Sequence, residues 1–163
     1  MTLKGTLEQN LQKHFDYKKQ HEFFVVEPAL GSFPKPRPYQ ERLDKWLSLC
    51  DTTHLDLKDY FVEGNGTTVL LFKNGLEVAD NGRKVAFSAI DSKEKVNMDS
   101  ARLVLRCAAN HLCRRGWDTG VDFSTVRYGA AQMVLTFEKA YKEARQMLNA
   151  ERIALLKNTQ RKG

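Results

Sequence analysis

The residues best suited to chemistry in this chain are cations. Arg102, Arg106 and Arg114 recur at multiples of four along a segment patterned as a helix, and Arg115 adjoins the last of them. Arg83 and Lys84 open a short alternating segment that also carries Ser88. A guanidinium offers a planar fork of N–H donors that matches a phosphate or the edge of guanine. Cations that neutralise phosphates supply much of the affinity for DNA without any active site. Arg83, Lys84, Ser88, Arg102, Arg106, Arg114 and Arg115 are therefore the candidate DNA-binding residues. The competing explanation is that these arginines pair with Asp and Glu of neighbouring segments, as surface charges commonly do.

Catalysis needs a nucleophile with a base, a carboxylate pair or a metal set, and no such motif stands out. Gly64-Asn65-Gly66 lacks the lysine and the following helix of a phosphate loop. His111 faces Leu112 and Ala108 on the cationic helix, which suits a core histidine better than a base. Asp56/Asp59 and Asp91/Glu94 fall in turns with neighbouring lysines and read as solvated charges. Cys50, Cys107 and Cys113 are odd in number and have no paired spacing, so free thiols are expected rather than a disulfide frame or a zinc site. The expectation is a protein that is not an enzyme and carries neither cofactor nor metal.

The totals favour an anionic partner. Lys and Arg number 26 against 20 Asp and Glu, a net charge of +6 with a pI near 9.3. That suits nucleic acid, an anionic membrane surface or an acidic protein. No window approaches the roughly 18–20 apolar residues of a membrane span, and no apolar run near Met1 resembles a signal peptide. A soluble, cytoplasmic protein without membrane contact is expected.

The elements that must position the cations read as α+β. Lys84 to Ile90 alternates, with Val85, Phe87 and Ala89 on one face and Lys84, Ala86 and Ser88 on the other. Asn74-Gly75 and Asp80-Asn81-Gly82 are tight turns, so the strands Thr67–Lys73, Leu76–Ala79 and Arg83–Ile90 make a three-stranded antiparallel meander. A two-stranded ribbon can enter the major groove with Lys84, Ala86 and Ser88 outward. A helix then runs from Asn97 or Asp99 to about Arg115, with Leu103, Val104, Cys107, Ala108, His111 and Leu112 as its inner stripe. Gly116 ends it, and Trp117 is expected to anchor the turn.

Leu43, Trp46, Leu47 and Cys50 mark another helix over 39–50, whereas 55–62 is ambiguous between strand and turn. Residues 2–20 have helical spacing, and 22–27 suit a strand. All four prolines lie in 28–38, which reads as a stiff linker, with a polyproline-type ligand for a partner as the alternative. The domain expectation is thus an N-terminal arm and linker over 1–38 and a body over 39–163. A long helix from Gly129 to about Lys157 closes the chain. Its stripe includes Met133, Phe137, Tyr141, Ala144 and Leu148 and continues to Leu155, and its far end is a candidate subunit contact.

Residues from about Val69 to Tyr141 carry a resemblance. The layout "VLLFKNGLEVADNGRKVAFSAID" followed by "ARLVLRCAANHLCRRGWDTGVDF" is similar to a small domain appended to conjugative relaxases and other polyvalent mobile-element proteins. The matching positions are Asn81-Gly82, Phe87, Ala101 to Leu112, and Gly116-Trp117. A relaxase's histidine triad and tyrosine pair are absent from the sequence. The strand–helix–helix order from Lys84 also resembles ribbon-helix-helix regulators of plasmid transfer, departing from them in the long N-terminal addition and the connector Asp91–Val96. Both resemblances imply plasmid transfer and DNA. The resulting expectation is a transcriptional regulator that binds double-stranded DNA as a homodimer, with an adaptor docking on a relaxase or another conjugation component as the alternative.

Overall fold

The computed structural model describes residues 22–29, 37–89, 98–127 and 130–162. The expected helix over 2–20, most of the proline-rich stretch and the connector Asp91–Val96 lie outside the described residues. The architecture is α+β, with three described helices and a six-stranded antiparallel sheet. In chain order the elements are β1 (Phe23–Pro28), α1 (Tyr39–Thr52), β2 (Leu57–Val62), β3 (Thr68–Phe72), β4 (Leu76–Asp80), β5 (Val85–Ala89), α2 (Met98–Arg114), β6 (Val121–Arg127) and α3 (Ala131–Lys162).

The strand order is β2-β3-β4-β5-β1-β6. The expected three-stranded meander is therefore only part of the sheet. Residues 57–62 form an edge strand that extends it by one, and β1 and β6 extend it from the other side. β1 lies between β5 and β6, with Phe24 opposite both Phe87 and Val126. A boundary at residue 38 does not separate this strand from the body.

Turn chemistry accounts for the local connections. At Asn74-Gly75 the Asn74 side chain accepts from the Leu76 amide at 3.0 Å, and Gly75 takes a φ of 91°, open to it because it has no Cβ. α2 stops at Gly116, φ 107°. There the Trp117 amide donates to the Leu112 carbonyl and the Gly116 amide to that of Cys113, the paired bonds of a helix ended by a left-handed residue. Trp117 is buried beside Leu112, and the Tyr141 hydroxyl donates to the Trp117 carbonyl, fastening this corner to α3.

The main core lies between the helices and one face of the sheet. Phe24, Leu70, Val78 and Phe87 meet Trp46 of α1, Leu105 and Leu112 of α2, and Met133 and Phe137 of α3. Phe137 packs against Phe24, Phe87 and Phe123, with ring centroids 5.4–6.2 Å apart. The inner stripe of α2 is broader than its expected positions. Ala101, Leu105, Ala109 and Cys113 are buried, whereas Leu103 is exposed. The other face of the sheet has its own buried cluster, Phe23, Val69, Ala79 and Ala86.

Candidate functional site

The seven candidate cation-site residues do not form one surface. Ser88 is fully buried, and its hydroxyl has no hydrogen-bond partner. The expected outward set fails because β5 is an interior strand. β4 and β1 flank it, and Ala86 belongs to the cluster on the second face. Alternation along a strand separates two faces, but it does not say that either one meets water. Lys84 is half-buried, with its ammonium 3.8 Å from Glu27. Arg83 is exposed at the start of this segment. Among the described residues no free ribbon is available to enter a groove.

Arg115 is removed from the set by a carboxylate the sequence reading treated as part of a turn. Asp80 ends β4 with its side chain turned inward. Its Oδ2 accepts from Arg115 Nη1 at 2.8 Å and from Trp46 Nε1 at 2.8 Å, while its Oδ1 accepts from the Gly82 amide at 2.8 Å. Only 7% of the Arg115 side chain and 1% of that of Asp80 are exposed. Burial alone would push the Asp80 carboxyl up. The charge and hydrogen bond of Arg115, with Trp46 and Gly82, outweigh it and hold the group below the usual carboxylate range.

Arg42 completes this cluster from α1. It donates to the carbonyls of Arg37 and Gly66, and its Nε lies 3.9 Å from Asp80. Burial lowers its pKa, with Asp80 working against that shift. The His111 ring packs on Trp46 at 4.6 Å, and burial together with the Arg115 charge pushes its pKa down to about 4. It is a neutral histidine over most of the accessible pH range. Its place in the core, against Trp46, agrees with the reading from its neighbours. One aspartate thus ties α1, the end of β4, the turn after it and the end of α2 into a fixed corner.

The remaining arginines lie along the seam between α2 and α3. Arg114 makes a two-pronged contact with Glu151, at 2.8 and 2.9 Å, across a separation of 37 residues. Arg106 with Glu143, and Arg102 with Lys139, stand at that same separation and line one cleft with Thr136 and Ala140. The two helices therefore run parallel, with one register along the seam. Arg102 is half-exposed and reaches Asp99 at 3.5 Å, and Arg106 is exposed. Of the candidate residues, the structure brings together only Arg102 and Arg106. It adds Lys139 and Glu143 from α3. The signal that could have found them is the repeated spacing, visible once two helices are known to pair.

Family profiles, curated proteins and solved structures give no match to this chain.

Among the described residues no three His, Cys, Asp or Glu side chains cluster tightly enough to hold a metal ion. None of their helices is long and apolar enough to cross a membrane. Cys50, Cys107 and Cys113 are free thiols, and burial raises the pKa of each, that of Cys50 to about 11. Such thiols stay protonated and are poor nucleophiles at neutral pH.

The far end of α3 is a second place where side chains await an explanation. Met133, Phe137, Tyr141 and Ala144 are buried and Leu148 is half-buried. Every residue from 149 to 159 is exposed, including Ile153, Leu155 and Leu156. Arg152 pairs with Asp118 at 2.6 Å, and Arg145 donates to the Asp118 carbonyl at 2.8 Å. These contacts fix where the helix leaves the body.

Proposed function

We propose that this chain is a non-enzymatic docking module of a conjugative mobile element, and that it meets an acidic partner protein through the C-terminal end of α3. The observation that carries this reading is the exposure of Ile153, Leu155 and Leu156 on a helix whose preceding turns are packed in the core. Leu155 follows Leu148 by two turns and so continues the buried stripe beyond the body. Burying one such side chain is worth roughly 1.5–3 kcal/mol, and clustered exposed apolar groups rimmed by polar ones mark interaction surfaces.

Charge selects the partner. From residue 145 onward the sequence has five cations, Arg145, Arg152, Lys157, Arg161 and Lys162, of which Arg152 is paired with Asp118, against the single acid Glu151. Glu151 is already engaged by Arg114. A second copy laid along this segment would bring like charges together, whereas an acidic surface would complement them. The relaxase of the encoding element, or another of its transfer proteins, is the partner class that the sequence resemblance implies.

The test is binding of the purified full-length chain to that relaxase, with and without the paired substitutions Leu155→Asp and Leu156→Asp. The double variant should keep its melting temperature and lose the partner. Absence of any complex with the wild-type chain, or an unchanged complex with the variant, overturns the reading. A wild-type homodimer dispersed by the same substitutions would instead make a second copy the occupant and remove the acidic partner.

The second reading is the DNA-binding transcriptional regulator that the total charge and the resemblance suggest. It is favoured by Arg102 and Arg106, exposed one turn apart with Lys139 beside them. It loses the support of Ser88, Lys84, Arg114 and Arg115, for the reasons given by their burial and pairing. The two readings separate by location, since changes at Leu155 and Leu156 disturb the first and changes at Arg102 and Arg106 disturb the second.

A further inference from the structure

The seam between α2 and α3 repeats one relationship, and the repeat fails at one end. At Arg114 the residue 37 positions later is Glu151, and the two form the two-pronged pair. At Arg106 the corresponding residue is Glu143. At Arg102 it is Lys139, a second cation lining the same cleft where the pattern calls for an acid. Like charges held together on a folded surface cost stability unless something else neutralises them. Around this position the two helices leave an open cleft of about 410 Å³ lined by Arg102, Arg106, Thr136, Lys139, Ala140 and Glu143.

The donors in the cleft are largely unspent. Among the described residues neither Arg106 nor Lys139 has an ion-pair partner within 4.0 Å. Arg102 touches only the exposed Asp99 at 3.5 Å, the limit of a hydrogen bond. The Thr136 hydroxyl already gives its proton to the Gln132 carbonyl at 2.8 Å, so it offers lone pairs and no donor. Among the described residues Glu143 is the only acid lining the cleft, and with Asp99 beside Arg102 the three cations meet two carboxylates, an excess of one positive charge.

We propose that this cleft binds a phosphate group. Two guanidiniums one helical turn apart can each direct a fork of N–H donors at a tetrahedral oxyanion, and the Lys139 ammonium adds a point charge from the opposite wall. A phosphate anion would complement the excess positive charge of the cleft. Glu143 sets the orientation. It crowds one side of the cleft with negative charge, so the phosphate sits toward Arg102 and Lys139. The proposal does not rest on the docking reading, because the cleft and the exposed turns of α3 are separate parts of the helix. Whether the phosphate is free, on a small molecule or within a nucleic-acid backbone, the chemistry of the cleft is the same.

The experiment is a calorimetric titration of the full-length chain with inorganic phosphate against chloride at matched ionic strength, repeated with Arg106→Gln, Lys139→Gln and the control Arg114→Gln. Wild-type protein and the Arg114→Gln variant should bind phosphate alike, whereas each of the two cleft substitutions should weaken binding by roughly tenfold or more, the size expected for losing one charge-assisted contact. Unchanged melting temperatures in the absence of phosphate would show that all variants are folded, and Arg106→Lys should recover part of the affinity. A duplex oligonucleotide arm identifies the source. Phosphate-competable duplex binding, lost in the same two variants, assigns the site to backbone phosphates, and phosphate binding without duplex binding assigns it to a free phosphorylated ligand. The proposal is overturned if phosphate binds no better than chloride, or if the cleft substitutions leave its affinity unchanged.

Discussion

The two ends of α2 hold arginines in opposite states. At its C-terminal end Arg115 is sunk against Asp80 under Trp46, and Arg114 is clamped to Glu151. Toward its N-terminal end Arg102 and Arg106 line an open cleft with Lys139, and among the described residues only Glu143 in that cleft and the exposed Asp99 beside Arg102 offset them. The same residue type at regular spacing thus does structural work at one end and leaves charge over at the other. What separates the two ends is the position of the acids. Asp80 and Glu151 reach the C-terminal arginines from β4 and α3, and no comparable acid reaches Arg102 from α3. A count of cations cannot distinguish arginines that grip a ligand from arginines that hold the fold together, because both need the same geometry.

The largest expected effect breaks the closed end. Asp80→Ala would leave Arg115 and Arg42 buried without their anion and would strand the Trp46 and Gly82 N–H groups. Removing one member of such a buried pair costs about 3–5 kcal/mol, to be read from the midpoint of urea unfolding. A loss comparable to that of an ordinary surface substitution would mean that the corner is solvated and that the contrast between the two ends is false.

A second effect is a pH dependence belonging to the same corner. His111 has a folded pKa of about 4 against 6.5 for the free side chain, so the unfolded chain takes up the proton first. Its contribution is fully present above pH 6.5 and is lost as the pH falls toward 4, in total about 3 kcal/mol. Asp80, also held below its ordinary value, begins to matter only in more acidic solution. Unfolding of His111→Phe, which keeps an aromatic ring against Trp46, should lose the slope between pH 4 and 6.5. An equal slope in wild type and variant would place the titrating group elsewhere.

The smallest effect sharpens the open end. Lys139→Glu would place an acid opposite Arg102 in the register that joins Arg114 to Glu151. It should raise the melting temperature slightly at low salt, with the gain fading as salt screens it. A fall at low salt would show that the seam does not continue in register to Arg102.

Much of the local structure was legible because its causes are local. Asn74-Gly75 and Asp80-Asn81-Gly82 marked two turns, and Gly116 marked the stop of α2. The additions at both sides of the sheet were not legible, since pairing between Phe24 and Val126 leaves no trace in the residues next to either. The same gap misplaced Ser88. Its neighbours alternate as they should, but the strand pairing sets buried Phe23 of β1, far away in the chain, and buried Glu77 of β4 on either side of it. Leu103 was misjudged because a helical stripe gives an angle and not the width of the surface that will be covered.

The amino-acid sequence by itself determined its tight turns, the type of its strongly patterned segments though not that of 55–62, and that positive charge exceeds negative. Those properties follow from backbone sterics and composition, which act over a few residues. Only the tertiary structure decided which cations are left over. An arginine's state depends on the nearest carboxylate in space, and for Arg114 and Arg115 that carboxylate lies 37 and 35 residues away. Asp80 and Glu151 become partners only when β4 and α3 have packed beside α2, and the mismatch between Arg102 and Lys139 arises from the same packing.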